Sequence, residues 1–158
     1  MRELQYCVAH TLTGRYVLCG NRELYMFSNP FVYFIQGECT GLIKIGKTMT
    51  LIEQRLKQLQ TGSPDKLNFL GGYLGELSEN DIHTQFQEYR LHGEWFRASE
   101  SLKEFISKNC IHDAQALHYA VSEIENGNMT VNEAMALKTK GLLGKHSELM
   151  VKLFSDAL

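Results

Sequence analysis

The chain has 158 residues, 44% of them apolar and 22% charged, with a formal net charge of -2. This suits one domain with a proper core plus appendages, and no stretch approaches the length of a membrane span. An acidic balance excludes affinity for nucleic acid through overall charge, so any such affinity must rest on a local patch. The four cysteines, Cys7, Cys19, Cys39 and Cys110, form no CxxC pair, and the N-terminus carries no secretory pattern. Both point to a reducing, cytoplasmic setting.

In chain order, residues 1–30 predict a β-meander, with "YCVAHTL", "RYVLC" and "ELYMF" separated by Thr13-Gly14 and Gly20-Asn21 and ended by Asn29-Pro30. From Phe31 to Asn109 the signals are denser and predict the main domain. Phe31–Gln36 and Leu42–Gly46 alternate as strands around a loop bounded by Gly37 and Gly41. Thr50 and Glu53 have capping-box spacing, opening a helix on Ile52, Leu56 and Leu59 that Gly62 closes. A third strand is expected within "KLNFLGGYL", and a helix from about Ser78 to Leu91 burying Ile82, Phe86 and Tyr89. "GEWFR" is expected as the last strand, followed by a helix capped near Ser99 with Leu102, Phe105 and Ile106 inside.

Residues 110–158 predict a helical extension. Asp113–Glu125 carries Leu117, Val121 and Ile124, and Thr130 with Glu133 forms a second capping box. An amphipathic end carries Leu149, Met150, Leu153 and Phe154. A helix-turn-helix around Gly141 fits the apolar spacing poorly. Packing on the core, or a homodimer through these helices, fits better.

Between Gly41 and Gln60 lie Lys44, Lys47, Arg55 and Lys57 against the single acid Glu53, a positive excess of three in an acidic chain. Singly, a strand lysine or a helix-surface arginine is most often solvated. Together they outline a candidate nucleic-acid-binding patch. Tyr33 can approach Lys44 across the hairpin, and the following helix returns Arg55 to the same neighbourhood.

At these residues the sequence resembles the GIY-YIG nuclease superfamily. "VYF" is followed by "KIG" and by an arginine in the next helix, and "VYFI…IKIGKT…RLKQLQTGSP…LG…E…IH..F…RLHGEWF" is similar to the bacterial and phage branch in which KIG replaces YIG. The similarity runs from about Val32 to Phe96. It implies an α+β fold, a small three-stranded antiparallel sheet flanked by helices, and a metal-dependent endonuclease hydrolysing DNA in phage or bacterial defence or mobile-element biology. Tyr33 takes the position of the first motif's tyrosine, Gly46 that of the second motif's glycine, Arg55 that of the helix arginine and Glu79 that of the metal-binding glutamate. Lys44 stands where the second motif has tyrosine, Leu59 where many members have histidine, and Glu94 and Trp95 where many have a late asparagine.

The residue types suit that chemistry. Glu79 alone could hold one Mg²⁺ or Mn²⁺ with waters completing the shell. Arg55 can pair a phosphate oxygen through its planar fork, and Lys44 and Lys47 with Arg55 would favour the ionised form of Tyr33 for proton transfer. His83, one turn after Glu79, shares its helix face and is a candidate aid to metal or proton. The plainer readings are a half-buried strand tyrosine at Tyr33, a helix-dipole carboxylate at Glu79 and a core Trp95. Cys7, His10 and Cys19 lack a fourth ligand for zinc. A non-catalytic nucleic-acid-binding module and a protein-interaction protein on the same fold are the alternative functions.

Overall fold

In the computed structural model, which describes residues 8–11, 14–19 and 22–141 and side chains from Met26 onward, one long strand organises the rest. Strands β1 (Val8–Thr11), β2 (Gly14–Cys19) and β3 (Arg22–Gly37) form the antiparallel meander. Its third strand does not stop at Asn29-Pro30. It runs on as the first strand of the expected hairpin, pairing with β4 (Ile43–Thr50). Proline has no N–H to give a ladder, and the β3–β4 register shifts between Met26 and Phe31, so Pro30 falls within the irregularity. The neighbouring Asn29 N–H donates to Glu125 Oε1 at 2.9 Å.

The expected three-stranded antiparallel core is β4–β3–β5, with β5 spanning Leu67–Tyr73. Among the described residues it sits in a sheet of eight strands. Met26 pairs with both Arg15 and Thr50, and Tyr33 with both Gly46 and Gly72, so β2 and β5 share one edge of β3 while β4 takes the other. The hairpin β6 (Arg90–His92) and β7 (Trp95–Phe96) extends the β4 side, and β8 (Cys110–Ile111) pairs with β5. "GEWFR" is therefore not the last strand.

Helices cover both faces of the sheet. Phe31, Tyr33 and Ile35 point to the side packed by Ile52 of α1 (Ile52–Thr61) and by Leu117 and Ala120 of α4 (Ala114–Glu125). Val32, Phe34, Ile43 and Ile45 point to the side packed by Ile82 of α2 (Glu79–Gln85) and by Leu102 and Ile106 of α3 (Glu100–Asn109). The alternation of β3 is thus a strand buried on both faces. Gly72 lets α4 approach, since a Cβ there would meet Leu117 Cδ2 at 2.4 Å. Ala134 of α5 (Val131–Thr139) is also buried, so the extension through α5 packs on the chain's own core.

The starts of α2, α3, α4 and α5 follow the sequence and that of α1 does not. Ser99 and Asp113 cap α3 and α4, and Thr130 with Glu133 forms the expected capping box of α5. The Thr50–Glu53 box does not form, because β4 runs through Thr50 and leaves Leu51 at the cap with no side-chain bond. Instead, the Ile52 N–H donates to His118 Nε2 at 3.0 Å from α4. The helix expected from Ser78 to Leu91 ends at Gln85. A 3-10 turn (Gln87–Tyr89) follows, because Arg90 onward is taken into strand pairing with β7. Leu149 to Phe154 and the side chains of Cys7, His10 and Cys19 lie outside the described residues, as does the chain following Gly141. Among the described residues no helix is long and apolar enough to cross a membrane.

Candidate functional site

Four consecutive residues of β4 each make a contact that bears on the predicted site. Lys44 Nζ pairs with Glu94 Oε2 from the turn before β7 and lies 5.7 Å from the Trp95 ring. The Ile45 carbonyl accepts from His83 Nε2 at 3.0 Å. Gly46 lies directly across from Tyr33, whose ring occupies the space a Cβ would need, with its hydroxyl 2.4 Å from that position. Lys47 Nζ lies 3.5 Å from Glu79 Oε2. The run Lys44-Ile45-Gly46-Lys47 is therefore the meeting line of α1, α2 and the β6–β7 hairpin.

On one side of this line, Tyr33 is fully buried and its hydroxyl accepts from Arg55 Nε at 3.3 Å. The Arg55 guanidinium also lies 5.9 Å from the Tyr33 ring centroid and donates from Nη1 to Gln58 Oε1 at 3.3 Å. Among the described residues no carboxylate lies within ion-pair distance of Arg55. Its charge is therefore the least committed of the predicted cations at this site. Lys44 is 11% exposed, and its partner Glu94 is held below the usual carboxylate range. Partial burial would raise it, but the Lys44 hydrogen bond and charge outweigh this, helped by His83 and Arg55.

On the other side, Glu79 is the first residue of α2, whose Ser78–Asp81 capping box fixes where the helix starts. His83 is buried, tilted against the Phe96 ring and bonded to a carbonyl, which can only accept; Nε2 therefore carries the proton. This bond anchors α2 to β4 and so positions Glu79 one turn earlier. Lys57, two residues beyond Arg55, is exposed and on a different face of α1, so it does not join the site.

Sequence reading missed Glu94, which it noted only as standing where an asparagine is common. The available signal was the β6–β7 hairpin, which sets Trp95 opposite Lys44 and brings the adjacent carboxylate to the lysine. The positive excess also shrinks in three dimensions, because Glu94 and Glu79, both outside the counted window, pair with Lys44 and Lys47.

For a divalent cation, the donor chemistry at Glu79 fits a hard ion. One carboxylate oxygen set, 12% exposed, lies on a cavity wall where waters could complete the shell, and exposed Lys47 is free to move aside. Among the described residues no group of three or more His, Cys, Asp or Glu is placed to hold a metal ion, so water would have to supply most of the shell.

An α+β domain whose glycine-bearing strand β4 meets a tyrosine and arginine on one face and a glutamate and histidine on the other is the class that fold and site define. The T5orf172 domain model matches residues 30–111, just over half of the chain. The chain belongs to the T5orf172 domain family, a domain found in phage and bacterial nuclease-like proteins, which points towards a nucleic-acid-related function. No curated protein and no solved structure matches it.

Proposed function

We propose that this protein is a metal-dependent endonuclease of the GIY-YIG type that hydrolyses phosphodiester bonds in DNA. The observation that carries this reading is that Tyr33, Arg55 and Glu94 gather at Lys44 and Gly46 on the α1 face of β4, while His83 and Glu79 meet Ile45 and Lys47 of the same four-residue run from its α2 face. Arg55 binds a phosphoryl oxygen with the donors Tyr33 does not use. The Tyr33 oxygen handles the proton of the attacking water, and Lys44 offsets charge on the departing oxygen. Glu79 would hold Mg²⁺ or Mn²⁺, which when bound supplies charge neutralisation at the phosphoryl oxygens.

The test is cleavage of labelled single- and double-stranded DNA and RNA with Mn²⁺ or chelator, by the parent, Tyr33→Phe and Glu79→Gln. Both variants should stay folded and bind DNA while losing cleavage by roughly a hundredfold or more, the usual scale for removing an acid-base group. Wild-type cleavage by a folded Glu79→Gln protein removes the metal site, and by Tyr33→Phe removes the tyrosine from the reaction. A second reading, a non-cleaving nucleic-acid-binding module, is favoured by the full burial of Tyr33 and the pairing of both lysines. It predicts binding without Mn²⁺-dependent products. A homodimer through the C-terminal helices is also proposed, and light scattering over a concentration series tests it.

A further inference from the structure

A cavity of about 430 Å³ opens beside the site and shares Lys47 and Glu79 with it. Phe31 and Val32 of β3, whose side chains point to opposite faces of the sheet, line one side, and Val121 and Ile124 of α4 line another. The first side belongs to the residues the family model matches. The second comes from the extension beyond residue 111. The two are tied at the rim by the bond from the Asn29 N–H to Glu125 Oε1. The size falls within the range of about 300–1,000 Å³ usual for sites that take a small ring system.

We propose that this cavity receives one unstacked nucleobase of a DNA strand whose adjoining phosphate lies at Lys47, and that α4 thereby selects which strands bind productively. The inference rests on the nucleic-acid reading of the site. Three features favour a base over other occupants. The cavity is bordered by Lys47, whose side chain is 62% exposed to solvent, suited to the backbone phosphate next to the base. The apolar walls suit the faces of a planar ring. The Glu79 carboxylate beside Lys47 can accept from an exocyclic amine or hold the cation, so base and phosphate are read at adjoining points. A base already in a single strand enters at the lowest unstacking cost.

The test uses the full chain, chelator to prevent cleavage, and end-labelled single-stranded DNA carrying 2-aminopurine at one position at a time. Anisotropy reads binding, and 2-aminopurine fluorescence reads unstacking. One position should brighten on binding. Ile124→Trp, which fills the cavity, should remove that brightening and weaken binding about tenfold at an unchanged melting temperature. An abasic site at the same position should weaken the parent about tenfold and abolish any further effect of Ile124→Trp. Leu77→Trp, at a cavity-lining residue 38% exposed, gives the same readout should the inner substitution impair folding. Binding with no brightening at any position, or a tryptophan penalty that persists on the abasic strand, overturns the pocket and leaves the nucleic-acid reading standing. Absence of binding by the folded parent overturns both.

Discussion

Tyr33 and Gly46 are cross-strand partners, and the tyrosine ring lies over the glycine rather than beside a second side chain. A methyl group at residue 46 would sit 2.4 Å from the hydroxyl and 2.6 Å from Cζ, inside van der Waals contact. The ring is buried beneath α1 and held by Arg55, so it cannot swing clear at little cost. Gly46→Ala should therefore destabilise the protein by about 1–3 kcal/mol, the usual range for overpacking, and displace the Tyr33–Arg55 contact. Chemical denaturation measures the first effect and DNA affinity the second. Parent-like stability in Gly46→Ala would mean that the glycine serves something other than room for Tyr33.

At the scale of elements, two loops are fixed by side chains from far along the chain. The N-terminus of α1 receives its acceptor from His118, whose ring lies tilted against Phe27 and Phe31. Burial holds the His118 pKa below its usual 6.5, although Glu53 and Asp113 pull the other way. The unfolded chain then binds more protons than the folded one, so stability falls as pH drops below about 6.5 and stops falling once the folded histidine is also protonated. Between about pH 7.5 and 5.5 the parent should lose melting temperature more steeply than His118→Gln, which keeps an acceptor without titrating. Equal slopes would remove His118 from the pH response.

The β3–β4 loop depends in the same way on Asp65, which accepts from the Cys39 and Thr40 N–H groups and the Thr40 hydroxyl at 2.8–3.0 Å. These bonds lower its pKa to about 2 from an ordinary 3.8. A lowered carboxylate contributes stability that is present above 3.8 and lost as pH falls through about 2. Asp65→Asn should therefore melt below the parent at neutral pH, with the gap closing towards about pH 2. A constant gap across that range would show that shape rather than charge holds the loop.

For the whole molecule, the net charge of -2 and the pairing of Lys44 and Lys47 with glutamates leave few cations for phosphate. DNA binding should weaken with salt, but gently. A plot of log affinity against log salt should have a slope of about -2 to -3, as for two or three phosphate contacts. Lys47→Ala should reduce that slope by about one, since Lys47 is exposed and loosely paired. A steep slope, or none, would place the contacts elsewhere on the surface.

Local pattern was enough to determine several features of this protein. The alternation of Phe31 to Gln36, the Gly37–Gly41 connector, the caps at Ser99 and Thr130 and the helix beginning at Asp113 depend on neighbours within a few residues, and each appears in the fold. The order of Tyr33 and Arg55 likewise foretold their meeting, because a hairpin and the next helix impose it, whereas Lys44 is registered opposite Ile35 and pairs with Glu94. Tertiary pairing decided the rest. His118 replaced the local cap of α1 across 66 residues, strand pairing with β7 ended α2 early, and a register shift carried β3 through Pro30. Most consequential for function, Glu94 reached Lys44 across 50 residues, turning an apparent excess of positive charge into ion pairs. Sequence spacing conveys nothing about such contacts, because the energy that fixes them comes from burial and pairing available only once distant elements have packed.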